Sequence, residues 1–188
     1  MVHSMEIERR FFIDGRLDKP WRDCEKSSSI KQYYLDFGHF QITGNMLAYD
    51  DISLVSLTED EKKIISSSED LTSRIRKVDD KAILTMKAKI SHASAIELEW
   101  IINNQDGDRV IALKGFPCVE KTRYYWPGLD GLIWEVDEFE GDLAGLLLAE
   151  VELESETQEV ILPKWLGFEL TGLHNWSNAA LAQTLANK

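Results

Sequence analysis

Ionisable residues recur at every second position in stretch after stretch of this chain. Glu6, Glu8 and Arg10 alternate with Ile7, Arg9 and Phe11; Arg74 and Arg76 flank Ile75; Lys87 and Lys89 stand opposite Leu84, Met86 and Ala88. Glu97 and Glu99 face away from Leu98 and Trp100, and Lys121, Arg123 and Tyr125 share a face. Glu135 and Asp137 oppose Trp134 and Val136, and Glu150, Glu152 and Glu154 oppose Val151 and Leu153. Side chains two apart on a strand share a surface, so each stretch puts a row of charge on one face. The acids Glu6, Glu8, Glu135, Asp137, Glu150 and Glu152 offer hard oxygen ligands of the kind that select Mg2+ or Mn2+. The bases Arg10, Arg74, Arg76, Lys87, Lys121 and Arg123 offer guanidinium forks and ammonium point charges that suit a run of phosphates. A linear polyphosphate, held by the bases and by metal ions on the acids, would satisfy both sets.

Strands must position these residues, because the dominant period is two. They are expected over Met5–Ile13, Ile30–Phe37, Leu71–Val78, Ala82–Ile90, Ile96–Ile102, Val119–Trp126, Leu132–Phe139 and Leu146–Glu154. Helices are short and few: Thr58–Ile65, opened by the capping box Thr58-x-x-Glu61, Asp106–Lys114, ended by Gly115, and Ser177–Ala186. Ser27–Ser29, Ser66–Ser68, Gly107, Gly128, Gly131, Gly141 and Gly145 read as loops. In a sandwich the charged faces would look at solvent. A closed antiparallel barrel offers the other solution, with charges in the lumen and the apolar faces outside, covered by helices and long loops. Such a lumen cannot be packed dry, because unpaired buried ions cost several kcal/mol each.

The chain has 188 residues, 44% of them hydrophobic, enough for the core of one domain. With no tandem repeat, low-complexity tract or linker, a single domain over 1–188 is expected. No apolar run is long enough for a membrane span or a signal peptide, so no membrane partner is expected. Lys plus Arg is 21 against 33 for Asp plus Glu, and the net charge of −12 argues against a duplex nucleic-acid partner, which needs a basic face. The acidity is concentrated: residues 128–169 hold twelve acids and one base, Lys164. Cys24 and Cys118 lack metal or disulfide spacing, which points to the reducing cytoplasm. His3, His39, His92 and His174 show no ligand spacing either, and no nucleophile motif surrounds His174 and Ser177.

Taken in order, these stretches resemble a CYTH domain of the triphosphate tunnel metalloenzyme superfamily. Glu6-Ile7-Glu8-Arg9-Arg10 is similar to the family's Glu-x-Glu-x-Lys hallmark. Further matches are Arg74-Ile75-Arg76, Leu84-Thr85-Met86-Lys87, Glu97-Leu98-Glu99 and Glu120-Lys121-Thr122-Arg123-Tyr124. They continue with Trp134–Phe139, Gly141–Leu146, Ala149–Leu153, Pro163–Gly167, Glu169-Leu170-Thr171 and Asn178. The resemblance implies a mainly β fold, an eight-stranded antiparallel tunnel with a charged lumen and a few flanking helices. It implies a divalent-metal-dependent triphosphatase: Glu6, Glu8, Asp137, Glu150 and Glu152 would hold Mg2+ or Mn2+. Arg10, Arg74, Arg76, Lys87, Lys121 and Arg123 would bind phosphates. Glu6, Glu8, Glu135 and Asp137 would serve catalysis, with Glu97 and Glu135 orienting bases. One metal would neutralise phosphate oxygens, and a second metal or a carboxylate would activate water.

The expected substrate is a small-molecule triphosphate, inorganic triphosphate first and nucleoside triphosphates second, for a monomer or homodimer. The neighbouring activities are thiamine triphosphatase and class IV adenylate cyclase, and a non-catalytic polyphosphate or nucleotide sensor is the rival from another class. A thiamine enzyme needs an aromatic platform at a tunnel mouth, for which Trp21, Trp126 and Trp176 are candidates. A cyclase needs base recognition, and His39-Phe40 is read as incidental to it. Two departures stand out. Arg10 replaces the usual Lys and cannot act as a general acid or base. About 36–70 forms an enlarged hairpin-plus-helix extension, whose Phe37, Phe40 and Tyr49 serve either as its core or as a lid.

Overall fold

The computed structural model describes residues 2–68, 71–91 and 93–186, the first three by their backbone alone. Glu69, Asp70 and His92, on which parts of the sequence reading fall, lie outside them. The strands are β1 (Val2–Ile13), β2 (Ser27–Leu35), β3 (Phe40–Thr43), β4 (Met46–Tyr49) and β5 (Ile52–Ser56). Helix α1 (Glu59–Ser67) leads to β6 (Leu71–Val78), β7 (Lys81–Lys89) and β8 (Ser94–Ile102). After α2 (Asn104–Ile111) come β9 (Cys118–Pro127), β10 (Ile133–Phe139), β11 (Leu147–Glu152), β12 (Leu166–Glu169) and α3 (Asn178–Ala186).

Strands β11, β10, β9, β2, β6, β7, β8 and β1 pair in that order, all antiparallel, and β11 returns to β1 to close an eight-stranded barrel. Each of the eight expected strands is one of these. Strand β12 continues along β1 where β8 ends, so that Phe11 faces Ala149 on one side and Glu169 on the other. The register sets opposite charges across from each other: Arg10 with Glu150, Lys87 with Glu97, and Arg123 with Asp137. A one-residue slip would move every such pair to the outside. The β6–β7 hairpin fixes part of this register with a two-residue turn, in which Asp79 takes a positive φ of 49°, a conformation Asp tolerates in such turns.

The outer apolar faces are covered by what lies between the barrel strands. Strands β3–β5 form a separate three-stranded sheet. With α1 they place Leu47, Tyr49, Ile52, Leu57 and Ile65 against Ile75, Leu84, Met86, Leu98 and Trp100 of β6–β8. The capping box at Thr58 and Glu61 is complete, and Glu61 also accepts a 2.9 Å bond from Trp100 Nε1, which pins α1 to β8. Phe40 meets Tyr49 edge-on and Phe37 packs on Phe40, so these aromatics are packing for the extension. On the opposite side Trp21, Trp126 and Trp134 gather around Trp165, outside β1, β10 and β11. Trp176 lies edge-on to Phe12 among the residues packed around α3. None of the three candidate platform tryptophans therefore lines the lumen cavity described below.

Three expected loops are not loops. Ser27–Ser29 belong to β2, because Tyr124, Arg123 and Thr122 of β9 supply a ladder for them. Ser66 and Ser67 complete α1. Gly107 lies within α2, where a Cβ would come 3.1 Å from the Ala82 Cβ; glycine lets the helix approach β7 closely.

Candidate active site

Alternation in a closed barrel turns the charged rows inward, and they meet as a belt of acids and bases around one lumen. On β9, β10 and β11 the groups interlock. Arg123 donates to both oxygens of Asp137 (2.6 and 2.7 Å), to Glu150 (2.9 Å) and to Glu135. Lys121 donates to Asp137 Oδ2, and Asn178 of α3 lies 3.5 Å away. Lys121 and Asp137 are sealed, 0% and 1% exposed at the side chain. Glu150 reaches the next strand, accepting from Arg10 Nε at 2.6 Å, and Arg10 also donates to Glu8 at 2.8 Å.

The wall of β1, β6, β7 and β8 is looser. Lys87 forms an ion pair with Glu6 and stands 3.8 Å from both Glu8 and Glu97; Arg74 stands 3.4 Å from Glu97. Among the buried polar atoms of this wall, Arg74 Nε has no hydrogen-bond partner. Arg76 takes Gln32 Oε1 at 3.1 Å and approaches Glu99 at 3.7 Å. Beside this wall opens a cavity of about 250 Å3, lined by Glu8, Arg10, Tyr34, Arg74, Thr85 and Lys87 and roofed by Thr171, His174 and the start of α3.

Like charges crowd within each set. Burial, with Glu150 and Glu6 adding to it, pushes the Glu8 carboxyl up to about 7 against Arg10 and Lys87. Burial pushes Glu97 up to about 8, Glu6 adding to it and Arg74 and Lys87 opposing. Glu152 is raised by burial and by Glu135 and Glu6. For Glu6 the burial penalty is outweighed by Lys87, and its pKa falls. On the basic side, burial and then Arg123 push Lys121 down to about 8 despite Asp137, and burial, Arg74 and Arg123 lower Arg76. Acids that resist ionising together and bases that resist protonation together are what a bound cation and a bound polyanion would relieve.

The twelve acids and bases assigned to the site from the sequence lie on the strands of the closed barrel, but not equivalently. Arg10, Arg74, Lys87 and Glu8 line the cavity. Lys121, Asp137 and Arg123 are closed off in the interlocked wall, and Glu152 is exposed. Among the described residues no three His, Cys, Asp or Glu side chains form a group ready to hold a metal ion, because the acids are turned towards the bases. The donor chemistry nonetheless fits a hard divalent cation: the oxygens are carboxylate, and Glu8 and Glu150 repel each other. Sequence reasoning missed Gln32, which supports Arg76, and Tyr34, which is buried against Arg74 and receives a 3.3 Å contact from Gln32. Their inward period on β2 was a usable signal.

A closed antiparallel barrel with acids and bases interleaved around its lumen defines a tunnel protein of polyanion chemistry. The chain is 36% identical over 115 residues to the inorganic triphosphatase of Acetivibrio thermocellus, covering 61% of this chain and 73% of that protein. It is 45% identical over 69 residues to the inorganic triphosphatase of Nitrosomonas europaea, covering 36% and 46% of the two chains. A crystal structure of an inorganic triphosphatase matches with a TM-score of 0.57 at 27% identity, over 97% of this chain and 95% of that one. No family model matches the sequence. The chain belongs to the CYTH proteins of the triphosphate tunnel metalloenzyme superfamily.

Proposed function

We propose that this protein hydrolyses a triphosphate in its lumen, inorganic triphosphate first and nucleoside triphosphates second, with Mg2+ or Mn2+ as cofactor. The observation that carries this reading is the belt itself: acids and bases interleaved around a cavity of about 250 Å3, with the carboxylates Glu8 and Glu150 set close enough to repel each other. Arg10, Arg74, Arg76 and Lys87 bind the phosphoryl oxygens, their guanidinium forks and the ammonium fixing the chain in line. Lys121 and Arg123 support that wall from behind through Asp137 and Glu150. Glu6, Glu8, Glu150 and Glu152 would hold the cation, which when bound supplies charge neutralisation at the phosphoryl oxygens. Glu135, whose side chain stays 24% exposed, orients the attacking water and takes its proton. Water adds to the terminal phosphorus, the bridging P–O bond breaks, and phosphate and pyrophosphate leave. Arg10 holds its charge throughout and does not move a proton.

Because residues 128–169 carry most of the net negative charge, a free triphosphate is repelled at long range and enters most readily as its metal complex. We also assign the protein to the cytoplasm, where its two free thiols are stable; no helix among the described residues is long and apolar enough to cross a membrane. The deciding experiment is phosphate release from inorganic triphosphate with Mg2+ or Mn2+, against chelator and against Glu8→Gln. Release abolished by both controls supports the reading. No release from folded protein with either metal overturns it in favour of a sensor or an organic substrate.

A further inference from the structure

Strand β7 presents Thr85, Lys87 and Lys89 on its inner face, and exposure rises along that row. Thr85 is 1% exposed, the Lys87 side chain 29%, and Lys89 is at the surface. Lys89 is thus one strand repeat, about 7 Å, beyond the last base of the belt. Unlike Arg10, Arg74 and Lys87, it forms no ion pair with a carboxylate among the described residues. Its Nζ instead sits 3.0 Å from Nδ1 and 2.8 Å from Nε2 of His174. Two basic groups are pressed together with no acid between them. Around them the cavity wall is hydroxylic, with Ser91, Ser94, Thr171 and Ser177, and the N-terminus of α3 opens into the same space. Ser91 and Ser94 donate to Glu156, Thr171 donates to Glu169, and Ser177 caps α3 by accepting from Ala180 N, so Lys89 and His174 are the basic groups this rim offers an anion, and the helix end adds partial positive charge beside them.

We propose that Lys89 and His174 form an anion subsite at the cavity rim, which takes the phosphoryl group of a linear polyphosphate beyond the three held by the belt. This rests on the proposed triphosphatase reading. An anion between the two side chains would replace this contact between two bases with two charge-assisted bonds, and it would favour tetraphosphate over triphosphate. The subsite determines chain-length preference and takes no part in the chemistry.

The test compares KM for inorganic triphosphate and tetraphosphate in the native protein, Lys89→Ala, His174→Ala and Lys89→Arg, with calorimetric binding of both anions as a readout independent of turnover. The expected result is a roughly tenfold rise in KM and Kd for tetraphosphate in each alanine variant, with triphosphate changed less than twofold and Lys89→Arg restoring tetraphosphate. Equal effects on the two anions, or none on tetraphosphate, overturn the subsite while leaving the triphosphatase reading intact. Failure of the native protein to bind or hydrolyse triphosphate overturns that reading itself, and the subsite with it.

Discussion

The lumen has two walls built from the same residue types. On β9 and β10, Lys121, Arg123 and Asp137 spend most of their bonding capacity on one another, and Lys121 and Asp137 are sealed from solvent. On β1 and β6–β8, Lys87 pairs with Glu6 but stands 3.8 Å from Glu8 and Glu97, Arg74 stands 3.4 Å from Glu97, and Arg74 Nε has no hydrogen-bond partner beside the cavity. Charge alone therefore does not make a binding site. A buried ion whose partners are complete is part of the scaffold, and one whose partners are incomplete is available to a ligand.

The largest test of this contrast is Asp137→Ala. It leaves Lys121 and Arg123 buried without their shared partner, and should destabilise the fold by about 3–5 kcal/mol in chemical denaturation. A loss under about 1 kcal/mol would erase the distinction between the walls. On the open wall, Glu8→Gln should do the reverse: triphosphatase activity falls about 100-fold or more, while the melting temperature stays level or rises, because a buried carboxylate, crowded also by Glu150, has lost its charge. Matching losses of activity and stability would count against the assignment.

The crowding also predicts a pH dependence. Burial, with neighbouring acids adding to it, pushes Glu8 up to about 7 and Glu97 up to about 8, so the folded state holds protons that the unfolded state has released. Metal-free stability should therefore fall as pH rises from 5 to 8, by a few degrees in melting temperature. Lys121 does not offset this, because its depressed pKa stabilises the fold with rising pH only above about 8. Mn2+ should raise the melting temperature more at pH 8 than at pH 5; a shift independent of pH would show that it binds elsewhere. The smallest effect belongs to the outer surface. Lys31 and Glu120 pair at 2.9 Å in solvent, and Glu120→Ala should change stability by less than about 1 kcal/mol and leave activity untouched.

Much of the barrel was legible because alternation is a local property. Arg74-Ile75-Arg76 declares its two faces without reference to any other strand, and Thr58 with Glu61 declares a helix start. The β3–β5 sheet was only partly so: the extension read as a hairpin, and its third strand depends on pairing with β4. Tyr34 and Gln32 were passed over because uncharged inward residues do not stand out until the charges around them are placed.

The sequence by itself determined which residues share a face, and hence that acids and bases would line one lumen, since a strand's period of two needs no partner. Only the tertiary structure decided which acid meets which base. Arg10 finds Glu150 across 140 positions and Arg123 finds Asp137 across 14, through ladder registers that no local pattern encodes. The same holds for the seal over Lys121 by Asn178 and for the meeting of Lys89 with His174, both of which wait on the docking of the α3 segment. Side-chain facing follows from the geometry of one strand, whereas burial and pairing follow from the closure of the whole barrel.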